Sequence, residues 1–136
     1  MRAFLDTNVL VSAFASRGLC AEVLELVLLD HDLILGRNVL REFERALRVK
    51  VKLPAVRSAE IIDFVSSEAI QIVDKAEPAV APVDAADALV LGEALVGHAE
   101  SFVTGDAALL RLAAVGALGL VSPRQFWEVL RAQPRP

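Results

Sequence analysis

Five acidic side chains stand where chemistry can be done. Asp6 closes the first apolar run, RAFL. Glu42 lies inside REFERAL. Asp84 and Asp87 open DAADALVLGEAL, and Asp106 follows SFVTG. Carboxylates brought together repel, and without a cation one of them takes up a proton. A divalent metal removes that conflict. Oxygen ligands with no His or Cys among them suit Mg²⁺ or Mn²⁺ better than zinc. One or two such ions can hold phosphate oxygens, activate a water and stabilise a leaving oxygen. The chemistry implied is hydrolysis of a phosphodiester or a phosphomonoester. Each acid also has a structural reading. Asp6 and Asp106 suit N-caps or Asx-turns. Asp84 suits an N-cap, with Asp87 in the first turn facing the helix dipole. Glu42 suits a solvated helix face paired with Arg45. Glu93, deeper in its segment, reads as structural or peripheral.

A second pattern is basic. Arg37, Arg41, Arg45 and Arg48 recur at intervals of four, four and three, which makes one stripe on a helix. Such a stripe can hold the phosphates of a nucleic acid, and it can equally be a solvated face. Lys50 and Lys52 extend it. Few aromatics lie nearby, so base stacking is not indicated. His31 reads as a turn residue and His98 as a helix-end residue. Cys20 reads as a small buried side chain. Phe126 and Trp127 either anchor the last helix to the core or contribute to a dimer face. No GxGxxG, GxxxxGK[ST] or GxSxG motif occurs.

These side chains need elements to position them, and apolar residue supplies are ample. The chain has 136 residues, 55% of them hydrophobic, which suits one domain with a real core and excludes a disordered chain. One cysteine excludes an internal disulfide framework, and two histidines argue against an all-histidine zinc site. The net charge of −4 argues against a protein that coats nucleic acid by bulk charge. The charge is unevenly placed, however. Residues 37–57 hold seven basic and two acidic side chains, whereas residues 58–100 hold nine acidic and one basic. Charge breaks the apolar runs before they reach the ~18 residues of a membrane span. Asp6 makes the N-terminus a poor signal peptide. A cytoplasmic protein with no membrane partner is expected.

Strand and helix alternate along the chain. Strands are expected at 2–5, 32–35, 69–73, 101–104 and 118–121. Helices are expected at 21–29, 38–49, 58–67, 84–98 and 106–114, and from Pro123 onward. Thr7 and Asn8 read as a polar turn, Ser58 as an N-cap, and 75–83, with two prolines, as a loop. That alternation predicts a mostly parallel sheet covered by helices, one three-layer α/β domain over 1–132 with a frayed tail at 133–136. In such a sheet, functional groups gather beyond the C-terminal ends of the strands. Asp6, Asp106 and the Asp84–Asp87 pair all follow strands or open helices there, and Glu42 lies one turn into a helix. Independent caps need not all fall at one sheet edge.

The motifs LDTNVLVSAF, REFERAL, DAADALVLGEAL with SFVTGDAALL, and SPRQFWEVL occur in order and span essentially the whole chain. In this they resemble a PIN-domain protein, specifically the toxin component of a VapBC-like toxin–antitoxin pair. The resemblance implies a PIN-like α/β/α fold and a metal-dependent endoribonuclease. It implies Asp6, Glu42, Asp87 and Asp106 as the metal-binding and catalytic quartet, with Asp84 assisting or substituting. Asn8 and Thr104 would support the site, and Arg37, Arg41, Arg45 and Arg48 would position RNA. It further implies Mg²⁺ or Mn²⁺, an RNA substrate, a small antitoxin partner and a homodimer. One departure weakens a second metal position: many relatives carry another acid where this chain has Ala108. Two other readings stand beside it. One is a non-catalytic RNA-binding or interaction module that kept the fold. The other is a haloacid-dehalogenase-like phosphatase, which also starts with an Asp after its first strand but needs a second acid where this chain has Asn8.

Overall fold

The computed structural model describes residues 1–133. The expected frayed tail lies, from residue 134 on, outside the described residues. The chain runs β1 (Arg2–Leu5), α1 (Thr7–Ala15), α2 (Leu19–Asp30), β2 (Asp32–Gly36), α3 (Arg37–Val49) and α4 (Ala55–Glu68). It continues β3 (Gln71–Val73), α5 (Ala85–Val96), β4 (Ser101–Val103), α6 (Ala107–Leu110), β5 (Ala114–Val115), β6 (Leu118–Val121) and α7 (Pro123–Ala132).

Short runs of large apolar residues become the central strands because both of their faces are covered. Ala3, Phe4 and Leu5 of β1 are fully buried, as are Ile34 and Leu35 of β2 and Phe102 and Val103 of β4. One sheet results, in the order β3-β2-β1-β4-β6-β5. Every pairing is parallel except the antiparallel β5–β6 hairpin at one edge. Phe4 lies beside Ile34 on one side and Phe102 on the other, and the two phenylalanine rings stack at 5.4 Å. The chain first steps outward from β1 through β2 to β3, then returns to place β4 on the far side of β1. Right-handed crossovers therefore put α1 to α4 on one face and α5 and α6 on the other. The helix α7 returns to pack on α2. This is the expected three-layer α/β/α arrangement with a mostly parallel sheet.

Several boundaries differ from the sequence reading, each for a local reason. Residues 7–15 form a helix rather than a turn. Asp6 caps it directly, and Val9 and Leu10 bury its inner side, with Ala13 and Phe14 packed on the core one turn later. The helix α4 begins at Ala55 rather than Ser58. Pro54 occupies its N-cap, where a missing N–H costs nothing, and the Ser58 N–H already donates to the Pro54 carbonyl. The strand expected at 69–73 shortens to 71–73. The helix expected at 106–114 stops at Leu110. Ala113 and Gly116 take positive φ values of 62° and 60° and turn the chain into the β5–β6 hairpin. Among the described residues, no helix is long and apolar enough to cross a membrane.

Candidate active site

The order of the strands makes the site. β1 and β4 are neighbours, yet the chain leaves them in opposite directions, so a crevice opens beyond their C-terminal ends. Asp6 follows β1, and Thr104, Gly105 and Asp106 follow β4. Both acids are also helix N-caps. Asp6 caps α1 and accepts from the Thr7 N–H at 2.8 Å, and Asp106 caps α6 and accepts from the Ala108 N–H at 2.8 Å. Cap and site readings thus describe the same geometry. A strand-to-helix turn places its cap at the sheet's C-terminal edge, and helix N–H groups hold the carboxylate there.

Asp6 is the fixed point. It is only 7% exposed. Its Oδ2 accepts from the Thr104 hydroxyl at 2.8 Å and from Asn8 Nδ2 at 3.1 Å. Thr104 is itself fully buried and accepts from the Asp106 N–H at 3.1 Å. Asn8 closes the ring, because its Oδ1 accepts from the Gly105 N–H at 2.8 Å. Asn8 and Thr104 therefore join the two strand ends and orient Asp6. The third acid comes from the opposite wall. Glu42 Oε2 accepts from the Thr7 hydroxyl at 2.8 Å. Asp87 projects from the first turn of α5, whose N-cap Asp84 accepts the Asp87 N–H at 2.8 Å.

Asp6, Glu42, Asp87 and Asp106 line one cleft of about 670 Å³. Arg45 and Lys50 line it too, with Val11, Ala46 and Val49 as apolar wall. Asp84 is exposed and outside this lining, held as the cap of α5. Of the arginine stripe, only Arg45 reaches the cleft. Arg37 pairs with Asp74 at 2.9 Å and Arg48 with Glu44 at 3.5 Å, both in the open. Arg41 is exposed on the same helix.

The acids strain against each other. Burial pushes the Asp6 carboxyl up, its hydrogen bonds from Thr104, Thr7 and Asn8 pull it back, and Asp106 raises it further. Burial also raises Glu42, with Asp6 and Asp84 adding to the rise. Asp87 is pushed up to about 6, first by burial and then by Asp84, Asp6, Asp106 and Glu42 together. Among the described residues, no three His, Cys, Asp or Glu side chains stand ready around one metal position. The carboxylates share the cleft without closing on one another, as like charges must. The all-oxygen donor set fits a hard divalent cation such as Mg²⁺ or Mn²⁺, whose charge would relieve that repulsion.

Residues 2–108 match the PIN domain family. The chain belongs to that family. Its members are generally nucleases and typically use divalent metal ions. Solved structures that resemble this PIN domain include two. One is VapBC2 from Rickettsia felis bound to a DNA fragment from the VapBC2 promoter. Its TM-score is 0.65 at 18% identity, covering 90% of this chain and 98% of that one. The other is a PilT N-terminus domain protein from the archaeon Sulfolobus solfataricus. Its TM-score is 0.58 at 11% identity, covering 100% of this chain and 98% of that one. At such identities the likeness is one of fold. No curated protein matches the chain significantly.

The contacts of two further side chains escape the sequence reading. Thr7 holds Glu42, and its place beside Asp6 in LDTN was the available signal. Glu93 is fully buried, and a lone acid flanked by apolar residues in LVLGEALV was the signal there.

Proposed function

We propose that this PIN domain is a Mg²⁺- or Mn²⁺-dependent endoribonuclease, acting as one domain over residues 1–132. The observation that carries the reading is the cleft at the β1–β4 switch point. Four acids distant in sequence line it together with Arg45 and Lys50. Asp6, Glu42, Asp87 and Asp106 would hold the cation. When bound, a divalent ion supplies the positive charge that favours attack of water on a phosphodiester.

The chain's own residues supply the rest. Thr104 and Asn8 fix Asp6 from the floor, and Thr7 fixes Glu42 from the wall. Arg45 and Lys50 receive backbone phosphates at the cleft wall, with Arg37, Arg41 and Arg48 extending the track along α3. The carboxylates act chiefly as ligands, and one of them can also take the water's proton. Asp84 serves through its field and as the cap of α5 rather than as a fifth ligand. The VapBC2 likeness supports a toxin role with a small antitoxin partner; a homodimer in the cytoplasm completes the proposal.

The test is incubation of the purified chain with single-stranded RNA, with Mn²⁺ or with chelator. Metal-dependent cleavage that disappears in Asp6→Asn upholds the nuclease. Binding without cleavage would instead favour an interaction module. Hydrolysis of a phosphomonoester with RNA left intact would favour a phosphatase.

A further inference from the structure

Glu93 has no place among the four acids, yet it is the fully buried carboxylate of the molecule's second layer of helices. It sits on α5, six residues after Asp87. From there it reaches the N-terminus of α3. The Asn38 N–H donates to its Oε2 at 2.7 Å, Asn38 Nδ2 donates to the same oxygen at 3.2 Å, and the Val39 N–H donates to Oε1 at 3.3 Å. The N-cap of α3 is Gly36, which has no side chain to cap with. The first N–H groups of α3 would otherwise lack an acceptor in a buried place. Gly36 also makes the reach possible, because a Cβ there would stand on the Glu93 carboxyl group. A negative group at this end of α3 is favoured by the helix dipole as well.

The two helices joined in this way are the two that carry acids without a strand end to fix them. Glu42 lies one turn beyond Val39 on α3, and Asp87 lies in the first turn of α5. Asp6 and Asp106 are placed by the paired strands β1 and β4. Glu42 and Asp87 come from opposite faces of the sheet, so their separation depends on how α3 is held against α5.

We propose that Glu93 is a positioning residue: its buried carboxylate straps the N-terminus of α3 to α5 and so sets the placement of Glu42 relative to Asp87 across the cleft. The inference rests on the nuclease reading above. It assigns Glu93 no contact with metal or RNA.

Two variants test it. Glu93→Gln keeps an acceptor oxygen for both Asn38 donors and loses the bond to Val39. Glu93→Leu removes the strap at similar volume. Thermal melting establishes that each is folded at the assay temperature. Mn²⁺ affinity is then read from the paramagnetic resonance of free Mn²⁺, and kcat and KM are measured for RNA cleavage. The expected result is a graded loss, by about threefold in Mn²⁺ affinity for Gln and at least about tenfold for Leu, as for other groups that orient metal ligands indirectly. The fall in kcat follows the fall in affinity. If Glu93→Leu does not fold, Glu93→Asp carries the same test. It keeps the charge but shortens the arm, and a strap of the wrong length must also weaken Mn²⁺ binding. Folded variants that bind Mn²⁺ and cleave as the parent chain does would overturn the strap and leave the nuclease reading standing. A parent chain that neither binds Mn²⁺ nor cleaves RNA would overturn both.

Discussion

At neutral pH the metal-free Asp87 carboxylate is charged against its surroundings. Its folded value of about 6 lies above its ordinary 3.8, so between these limits the folded chain binds more protons than the unfolded one. Stability contributed by the protonated form is full below 3.8 and is lost as pH rises through about 6. Asp87→Asn is therefore expected to stabilise the chain in chelator at about pH 7.5 by about 1 kcal/mol once solvent screening is allowed for, seen as a higher melting temperature. The gain shrinks toward pH 4 in parallel melts, where Asp87 is already protonated. The same change is expected to lower RNA cleavage by at least about 100-fold, because it removes a ligand. Cleavage at limiting Mn²⁺ should rise with pH through about 6, and excess Mn²⁺ should move that rise to lower pH. Thr7 offers a milder probe. Thr7→Val deletes the donor to Glu42 and keeps the shape. Hydrogen bonds to charged groups contribute about 1.5–3 kcal/mol, so a lower melting temperature is expected together with a fall in kcat of about tenfold or more.

At the scale of the element, capping recurs as the device that places chemistry. Three of the five candidate acids, Asp6, Asp84 and Asp106, are N-caps whose side chains accept helix N–H groups. The last helix uses the same device for stability alone. Ser122 and Gln125 form a reciprocal capping box, and Pro123 opens α7 where its missing N–H is harmless. Phe126 and Leu130 then bury the inner face of α7, while Trp127 lies partly buried under Arg124 and Arg131. Ser122→Ala should cost about 1 kcal/mol in chemical denaturation and leave cleavage unchanged, since α7 contributes nothing to the cleft lining.

For the whole molecule, the −4 net charge conceals a division between two regions. The basic stretch includes α3, one wall of the cleft, while of the acidic stretch only Asp87 lines that cleft. The Arg37–Asp74 and Arg48–Glu44 pairs are exposed, so they hold their arginines weakly and RNA phosphates can compete for them. Arg45 and Lys50 already face the cleft. In an Asp6→Asn background that binds without cutting, RNA affinity should fall as salt rises. Replacing both Arg45 and Lys50 with Gln should flatten the slope of log affinity against log salt by about 1.5. Fluorescence anisotropy across a salt series measures it, and an unchanged slope would place the RNA elsewhere.

The acids, the arginine stripe and the alternation of strand and helix were legible from the chain alone, because capping preference and hydrophobic period are local properties. The helix at 7–15 was hidden because it starts without a break at a strand end, its cap doubling as a site acid. The β5–β6 hairpin was hidden because it rests on left-handed backbone at Ala113, just before β5, and at Gly116 in its turn. Tertiary structure alone decided that β4 lies beside β1, bringing Asp6 and Asp106 together across a hundred residues of chain. It also decided that Thr7 meets Glu42 and that Glu93 meets Asn38 and Val39. Local periodicity says which face of an element is buried, but not which element comes to cover it. Four candidate acids could be picked out from sequence, whereas their meeting in one cleft and the contacts that hold each in place exist only once the sheet has chosen its order.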